Sequence, residues 1–209
     1  MFLTRIILPL CIVCTFASSN SQDTVKVSLY YEALCPYSQE FIKDQLFPGY
    51  QVLGDVLDLD LVPYGKAKMS NINGKWKLTC QHGPKECFGN KIQACVLDLN
   101  YTQAKSMNFI GCVMSTETPE NKKIAKKCAE KNKLSWTDIK LCMNGEQVNE
   151  IMEKMGNKTN NLEPKMMYVP YILFNDIHDD DVEDEARENF LKTVCKMFKN
   201  KPPGCSDFN

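Results

Sequence analysis

The cysteines constrain this chain before any other feature does. Its 209 residues hold eleven, and two of them, Cys11 and Cys14, fall in an apolar leader. The others are Cys35, Cys80, Cys87, Cys95, Cys112, Cys128, Cys142, Cys195 and Cys205. Such a set suits an oxidising compartment, where cysteines pair. Eleven less two is nine, an odd number, so at least one thiol stays free or pairs between chains. Cys35 is the natural odd one out, because it stands far upstream at a strand-to-helix junction. The other eight are disulfide candidates with many possible pairings. Only Cys195 with Cys205 is favoured locally, where "KNKPPG" would turn the chain back. Each bridge stabilises by about 2–4 kcal/mol through a restricted unfolded state. Cys80, His82, Cys87 and Cys95 offer a Cys/His quartet, but C-x-H-x-x-x-x-C matches no usual zinc spacing, so no metal is expected.

The leader "MFLTRIILPLCIVCTFASS" has one basic residue, Arg5, then an apolar run from Ile6 to Phe16, then small residues. It reads as a cleaved signal peptide over residues 1–19, too short for a membrane span. No later stretch is apolar enough to span a bilayer, so a soluble protein of the secretory pathway is expected. Two sequons, Asn100-Tyr101-Thr102 and Asn157-Lys158-Thr159, agree with that route. A formal net charge of -1 carries no nucleic-acid footprint.

"VKVSLYY" alternates, with Val25, Val27, Leu29 and Tyr31 on one face and Lys26 and Ser28 on the other, which predicts a strand. Pro36 suits the first turn of a helix, where its missing N–H costs nothing. Phe41, Ile42, Gln45 and Leu46 recur at helical spacing, and Pro48 is expected to end the run. "VLDLDLV" predicts a second strand, parallel to the first through a right-handed crossover. Residues from 65 to about 165 hold six cysteines and many lysines. They read as a cysteine-stapled, mainly helical insertion, with helices near 86–99 and 119–131. Lys122, Lys123, Lys126 and Lys127 give it a basic face, which is either solvated or binds an acidic partner. "MMYVPYILFN" returns to strand composition, and Pro170 fits an edge strand or a cis bond. The last long run, "DDDVEDEARENFLKTVCKMFK", predicts a helix with Val182, Ala186, Phe190 and Val194 on one face. Its acidic start suits the helix dipole better than a calcium loop.

"YYEALCPYS" carries the chemistry. A thiolate attacks disulfides, and a helix N-terminus favours the thiolate. Ser38, one turn after Cys35, is placed to hydrogen-bond the sulfur. It cannot attack a mixed disulfide as a second cysteine would. The residues therefore predict a one-cysteine mechanism, with an external small thiol or a substrate cysteine completing the reaction. The Val169-Pro170 pair has the form of the cis-proline loop that faces the active cysteine in thioredoxin-like folds.

"CQHGPKECFGNKIQAC", residues 80–95, resembles the signature of the gamma-interferon-inducible lysosomal thiol reductase family, C-Q-H-G-x-x-E-C-x-x-N-x-x-x-x-C. Cys80, Gln81, His82, Gly83, Glu86, Cys87, Asn90 and Cys95 all fit. The resemblance runs from about Val25 to Cys205. It implies an α/β, thioredoxin-like fold with the stapled helical insertion, as a single domain over 20–209. It implies reduction of disulfide-containing protein substrates, with no cofactor beyond an external small thiol. Cys35 would be the nucleophile, Pro170 the cis-proline, and the signature residues mainly structural, with a turn at Gly83. The location implied is secreted and extracellular, or lysosomal and endosomal. Ser38 stands where reductases of the family carry their second active cysteine. A secreted binding protein that keeps the scaffold but has little redox turnover is the alternative.

Overall fold

In the computed structural model, which describes residues 23–208, the alternating run Val25–Tyr31 forms the central strand β1. The leader read over residues 1–19 lies outside the described residues. β1 pairs in parallel with β2 (Leu57–Pro63), Val25 opposite Leu57 and Tyr31 opposite Pro63. On its other side it pairs antiparallel with β5 (Tyr171–Phe174), giving the order β2-β1-β5. β5 is an edge strand, and Pro170 stands immediately before it. An edge tolerates a residue with no N–H, which a central strand does not.

The crossover from β1 to β2 is one continuous helical run. α1 (Pro36–Glu40) passes into a π-helical stretch, Phe41–Leu46, and then into α2 (Phe47–Leu53). The end expected at Pro48 is therefore not there. In the π stretch the Phe47 N–H bonds the carbonyl of Ile42, five residues back. This wider turn relieves the crowding that a proline ring meets in a tight helix. Pro48 then falls in the first turn of α2, where no N–H is needed.

Both faces of the sheet are covered. Val25, Val27, Leu29, Tyr31, Ile172 and Phe174 belong to one core, with Ile42, Leu46, Ile110, Phe190 and Val194. Tyr30, Val62, Tyr171 and Leu173 belong to the other, with Cys95, Val148, Ile151 and Met152. Ser28, expected on a polar face, is buried as a result. Helices on both sides of a βαβ unit impose this, and the alternation alone could not reveal the second layer.

The insertion opens with an antiparallel hairpin, β3 (Lys68–Ile72) and β4 (Lys75–Thr79), turned at Asn73-Gly74, both with positive φ. Five helices follow: α3 (Pro84–Asp98), α4 (Gln103–Met114), α5 (Lys122–Lys131), α6 (Trp136–Asn144) and α7 (Gln147–Asn160). Asn121 and Ser135 cap α5 and α6 by accepting first-turn N–H bonds. Cys95–Cys142 ties α3 to α6, and Cys112–Cys128 ties α4 to α5. Cys80–Cys87 joins the end of the hairpin to α3. Cys195–Cys205 anchors the tail to α8 (Asp180–Met197).

α8 is two helices in series. Asn189 leaves helical dihedrals, and its Oδ1 accepts from the Lys192 N–H at 3.0 Å, capping the second segment. Gln45 Oε1, from the π-helical stretch, accepts from the Phe190 N–H at 3.1 Å. The acidic start of α8 caps itself: Asp179 Oδ1 accepts from the Val182 N–H at 3.1 Å.

Candidate active site at Cys35

Cys35 is the N-cap residue of α1, with extended dihedrals, and only 6% of it is exposed. Among the described residues it is the free cysteine. Its Sγ donates to the carbonyl of Val169 at 3.8 Å, across 134 positions of chain. The Val169–Pro170 bond is cis. Two distant segments of sequence thus meet at one sulfur. Ser38 is fully buried one turn along, but its Oγ does not bond the sulfur. It accepts a long 3.4 Å bond from the Glu32 N–H. The hydroxyl faces the end of β1, where a buried amide would otherwise lack an acceptor.

The loop before Cys35 is held from the insertion. Asn90 Oδ1 accepts from the Ala33 N–H at 2.8 Å. Gln39 Nε2 donates to the Ala33 carbonyl at 3.0 Å, and the Lys66 N–H donates to Glu32 Oε1 at 2.7 Å. Gly65 is required beside that carboxylate. It has φ +57, and a Cβ there would stand 2.2 Å from Glu32 Cγ.

The family-like motif divides by role. Cys80, Cys87 and Cys95 are disulfide-bonded. Gly83 is the N-cap of α3 with φ +80, a conformation glycine adopts freely. Glu86 is fully buried; its Oε1 accepts from the His82 N–H at 3.2 Å, and its Oε2 contacts His82 Nδ1. Gln81 is exposed, and nothing in the structure explains its presence in the motif. His82 Nδ1 also lies 3.4 Å from Oε2 of Glu32. Burial is the main force pushing the Glu32 carboxyl above the usual carboxylate range, opposed by the Lys66 amide and reinforced by the Glu86 charge. Glu32 escaped the sequence reading. Its signal is an acidic residue set directly after a buried strand.

A second missed group stands behind the proline. Glu183, on α8, is 1% exposed. Its Oε2 accepts from the Ile172 N–H at 2.8 Å and lies 3.1 Å from His178 Nε2. Its Oε1 accepts from Arg187 Nε at 3.1 Å. Arg187 Nη2 in turn donates to the Pro170 carbonyl at 2.5 Å, and the guanidinium lies 5.2 Å from the centre of the Tyr168 ring. A buried carboxylate and an arginine thus fix both the carbonyl of Pro170 and the Ile172 amide of β5. The signal available was Glu183 and Arg187, four apart on a predicted helix.

A groove of about 170 Å³ beside the site is lined by residues that include Tyr37, Phe41, Pro170 and Arg187. Tyr37, Met167 and Tyr168 are exposed. Asn100 and Asn157 are both exposed. Lys122, Lys123, Lys126 and Lys127 are exposed on α5, and the first three border an open groove with Phe88 and Trp136. No helix of the described residues is long and apolar enough to cross a membrane.

The model of a family described as Gamma interferon inducible lysosomal thiol reductase (GILT) matches residues 26–132. GILT-like protein 1 of Drosophila melanogaster is 35% identical over 210 residues, covering 94% of this chain and 84% of the relative. The Gamma-interferon-inducible lysosomal thiol reductase of Carassius auratus is 37% identical over 184 residues, covering 87% and 72%. Among solved structures, DsbA of Chlamydia trachomatis superposes with a TM-score of 0.59 at 14% identity, over 92% of this chain and all (100%) of that one. Reduced DsbA of Mycobacterium tuberculosis gives 0.57 at 14% identity, over 91% and 90%. These structures show the fold, α/β and thioredoxin-like with a helical insertion. By the relatives and the family match together, this chain belongs to the gamma-interferon-inducible lysosomal thiol reductase family.

Proposed function

We propose that the protein is a thiol–disulfide oxidoreductase that works through Cys35 alone. The observation that carries this reading is the placement of one free sulfur at the start of a helix, against a cis-proline loop, with a serine one turn on. The Cys35 thiolate attacks one sulfur of a substrate disulfide, forming a mixed disulfide and expelling the other substrate sulfur as a thiolate. An external thiol, as its thiolate, then attacks Cys35 Sγ of that mixed disulfide and releases the second substrate thiolate. A second external thiol frees Cys35, and the two external thiols leave as one disulfide. Two electrons pass from external thiol to substrate, and no other cofactor is needed. A substrate cysteine in place of the external thiol makes the outcome isomerisation.

The substrates are disulfide-containing proteins. Exposed Tyr37, Met167 and Tyr168 flank the reacting segments in sequence and offer apolar surface to an extended polypeptide. In this reading Val169 presents its backbone to that polypeptide. Four disulfides and two exposed sequons support passage through the secretory pathway, with glycans on Asn100 and Asn157 and release outside the cell or delivery to lysosomes.

The test is reduction of a disulfide-bonded protein with a small thiol as reductant. Cys35→Ser is expected to abolish the catalysed rate. An unchanged rate in that variant would sink the proposal. A second reading, a binding protein for an acidic partner, draws on the lysine-bordered groove beside α5. It predicts partner binding that survives Cys35→Ser and fails when Lys122, Lys123 and Lys126 are reversed in charge.

A further inference from the structure

Two buried carboxylates and an imidazole meet beside the Cys35 loop, and the thiol chemistry uses none of them. One ligand atom from each of Glu32, His82 and Glu86 lies within 4.8 Å of the other two. Glu32 and Glu86 are both fully buried, while His82 is partly exposed. Each carboxylate has one oxygen already held by a backbone amide: Glu32 Oε1 by Lys66 at 2.7 Å and Glu86 Oε1 by His82 at 3.2 Å. The other oxygen of each faces the His82 ring. On Glu86 that oxygen contacts Nδ1. On Glu32 it is buried, accepts no hydrogen bond, and stands 3.4 Å from Nδ1. An oxygen buried in this way ordinarily has a partner.

We propose that Glu32, His82 and Glu86 form a divalent-metal site, with zinc the ion that fits the donor set best. Two buried carboxylates face a single imidazole, and an ion held by all three would give the unpartnered Glu32 oxygen its partner. Tetrahedral zinc with bonds of about 2.0–2.2 Å sets its ligand atoms roughly 3.4 Å apart. The 3.4 Å between His82 Nδ1 and Glu32 Oε2 already fits, and the contact between Nδ1 and Glu86 Oε2 must open to admit the ion. Calcium would demand six or more oxygens, and magnesium keeps to oxygen ligands in a regular octahedron. Imidazole with carboxylates suits zinc and its neighbours. The backbone amides on the outer oxygens are the supporting contacts that orient metal ligands. The exposed edge of His82 leaves an entry path and room for water as a fourth ligand. The C-x-H-x-x-x-x-C quartet weighed from sequence does not supply this site. Its cysteines are in disulfides, and His82 takes its partners from the residue after β1 and from α3 instead.

Glu32 lies three residues before Cys35, so an ion here would brace the loop that carries the sulfur. The test does not rest on thiol activity. Zinc is titrated calorimetrically into the disulfide-bonded protein after Cys35 has been capped with iodoacetamide, which removes the competing thiol ligand. One equivalent is expected to bind, with affinity lower by about tenfold or more in His82→Ala and in Glu86→Gln. Cobalt in place of zinc is expected to give visible bands of nitrogen and oxygen ligation, without a thiolate charge-transfer band. Absence of a stoichiometric site, or a site unchanged in both variants, overturns the proposal. His82→Ala removes a side chain that is partly exposed. If Glu86→Gln loses its near-ultraviolet circular dichroism, the His82→Ala comparison decides alone.

Discussion

At Cys35, one free sulfur sits at the start of α1, and its neighbours set what it can do. Ser38 serves the Glu32 amide rather than the sulfur, through a bond of 3.4 Å. Replacing it weakens the acceptor of a buried amide and is expected to cost about 1–3 kcal/mol. Ser38→Cys is expected to shorten the life of the mixed disulfide and to free the first release step from the external thiol. Trapping with acid during turnover measures that lifetime, and an unchanged lifetime would show that position 38 cannot reach the sulfur. Asn90 has a different role. Its Oδ1 is the acceptor for the buried Ala33 N–H, at 2.8 Å. Asn90→Ala leaves that amide unpaired and is expected to cost about 1–3 kcal/mol, read as a lower urea midpoint with an unchanged slope.

At the scale of elements, the cis-proline loop depends on α8. Arg187 holds the Pro170 carbonyl and is itself held by Glu183. Arg187→Ala is expected to lower kcat/KM for a protein substrate by about tenfold, since small misplacements at a reacting centre are costly. Alkylation of Cys35 by iodoacetamide should change by less than about twofold, because the small reagent needs no aligned loop. Equal losses in both assays would mean that the substitution damages the sulfur's surroundings instead. Much of this level was legible from residues. The alternation of Val25 to Tyr31 and of Leu57 to Leu61 marks β1 and β2, and the four-residue steps from Val182 to Val194 mark α8. Pro48 misled because a proline ends a regular helix but not one that has already widened into a π turn. The β3–β4 hairpin was missed in the helical reading of the insertion, although Asn73-Gly74, whose positive φ values make the turn, signals it. The partners of Cys80, Cys95 and Cys112 were not legible, because pairing depends on how helices cross in space. Glu183 and Glu32 were hidden for a related reason: their burial comes from layers that no local pattern reports.

At the scale of the whole molecule, a three-stranded sheet lies between two apolar cores, and the insertion supplies much of the second. The disulfides should contribute unequally. Cys95–Cys142 closes 47 residues and Cys80–Cys87 closes 7. On loop-closure entropy the first is worth about 4 kcal/mol and the second about 2. Paired alanine replacements, compared by urea unfolding, are expected to follow that order. The reverse order would mean that strain or residual structure in the unfolded chain dominates. The insertion also reaches the reacting loop through Asn90 and the Glu32–His82–Glu86 cluster, so the staples stabilise the support of the site as well as the fold.

The most direct measurement is mass spectrometry of the protein quenched with acid during turnover of a disulfide substrate, with the external small thiol kept limiting. A single-cysteine enzyme accumulates one adduct, substrate joined to Cys35, with the four internal disulfides intact, and added thiol discharges it. Turnover without a Cys35 adduct, or discharge of that adduct with no external thiol present and the freed substrate thiol alkylated, would contradict the account.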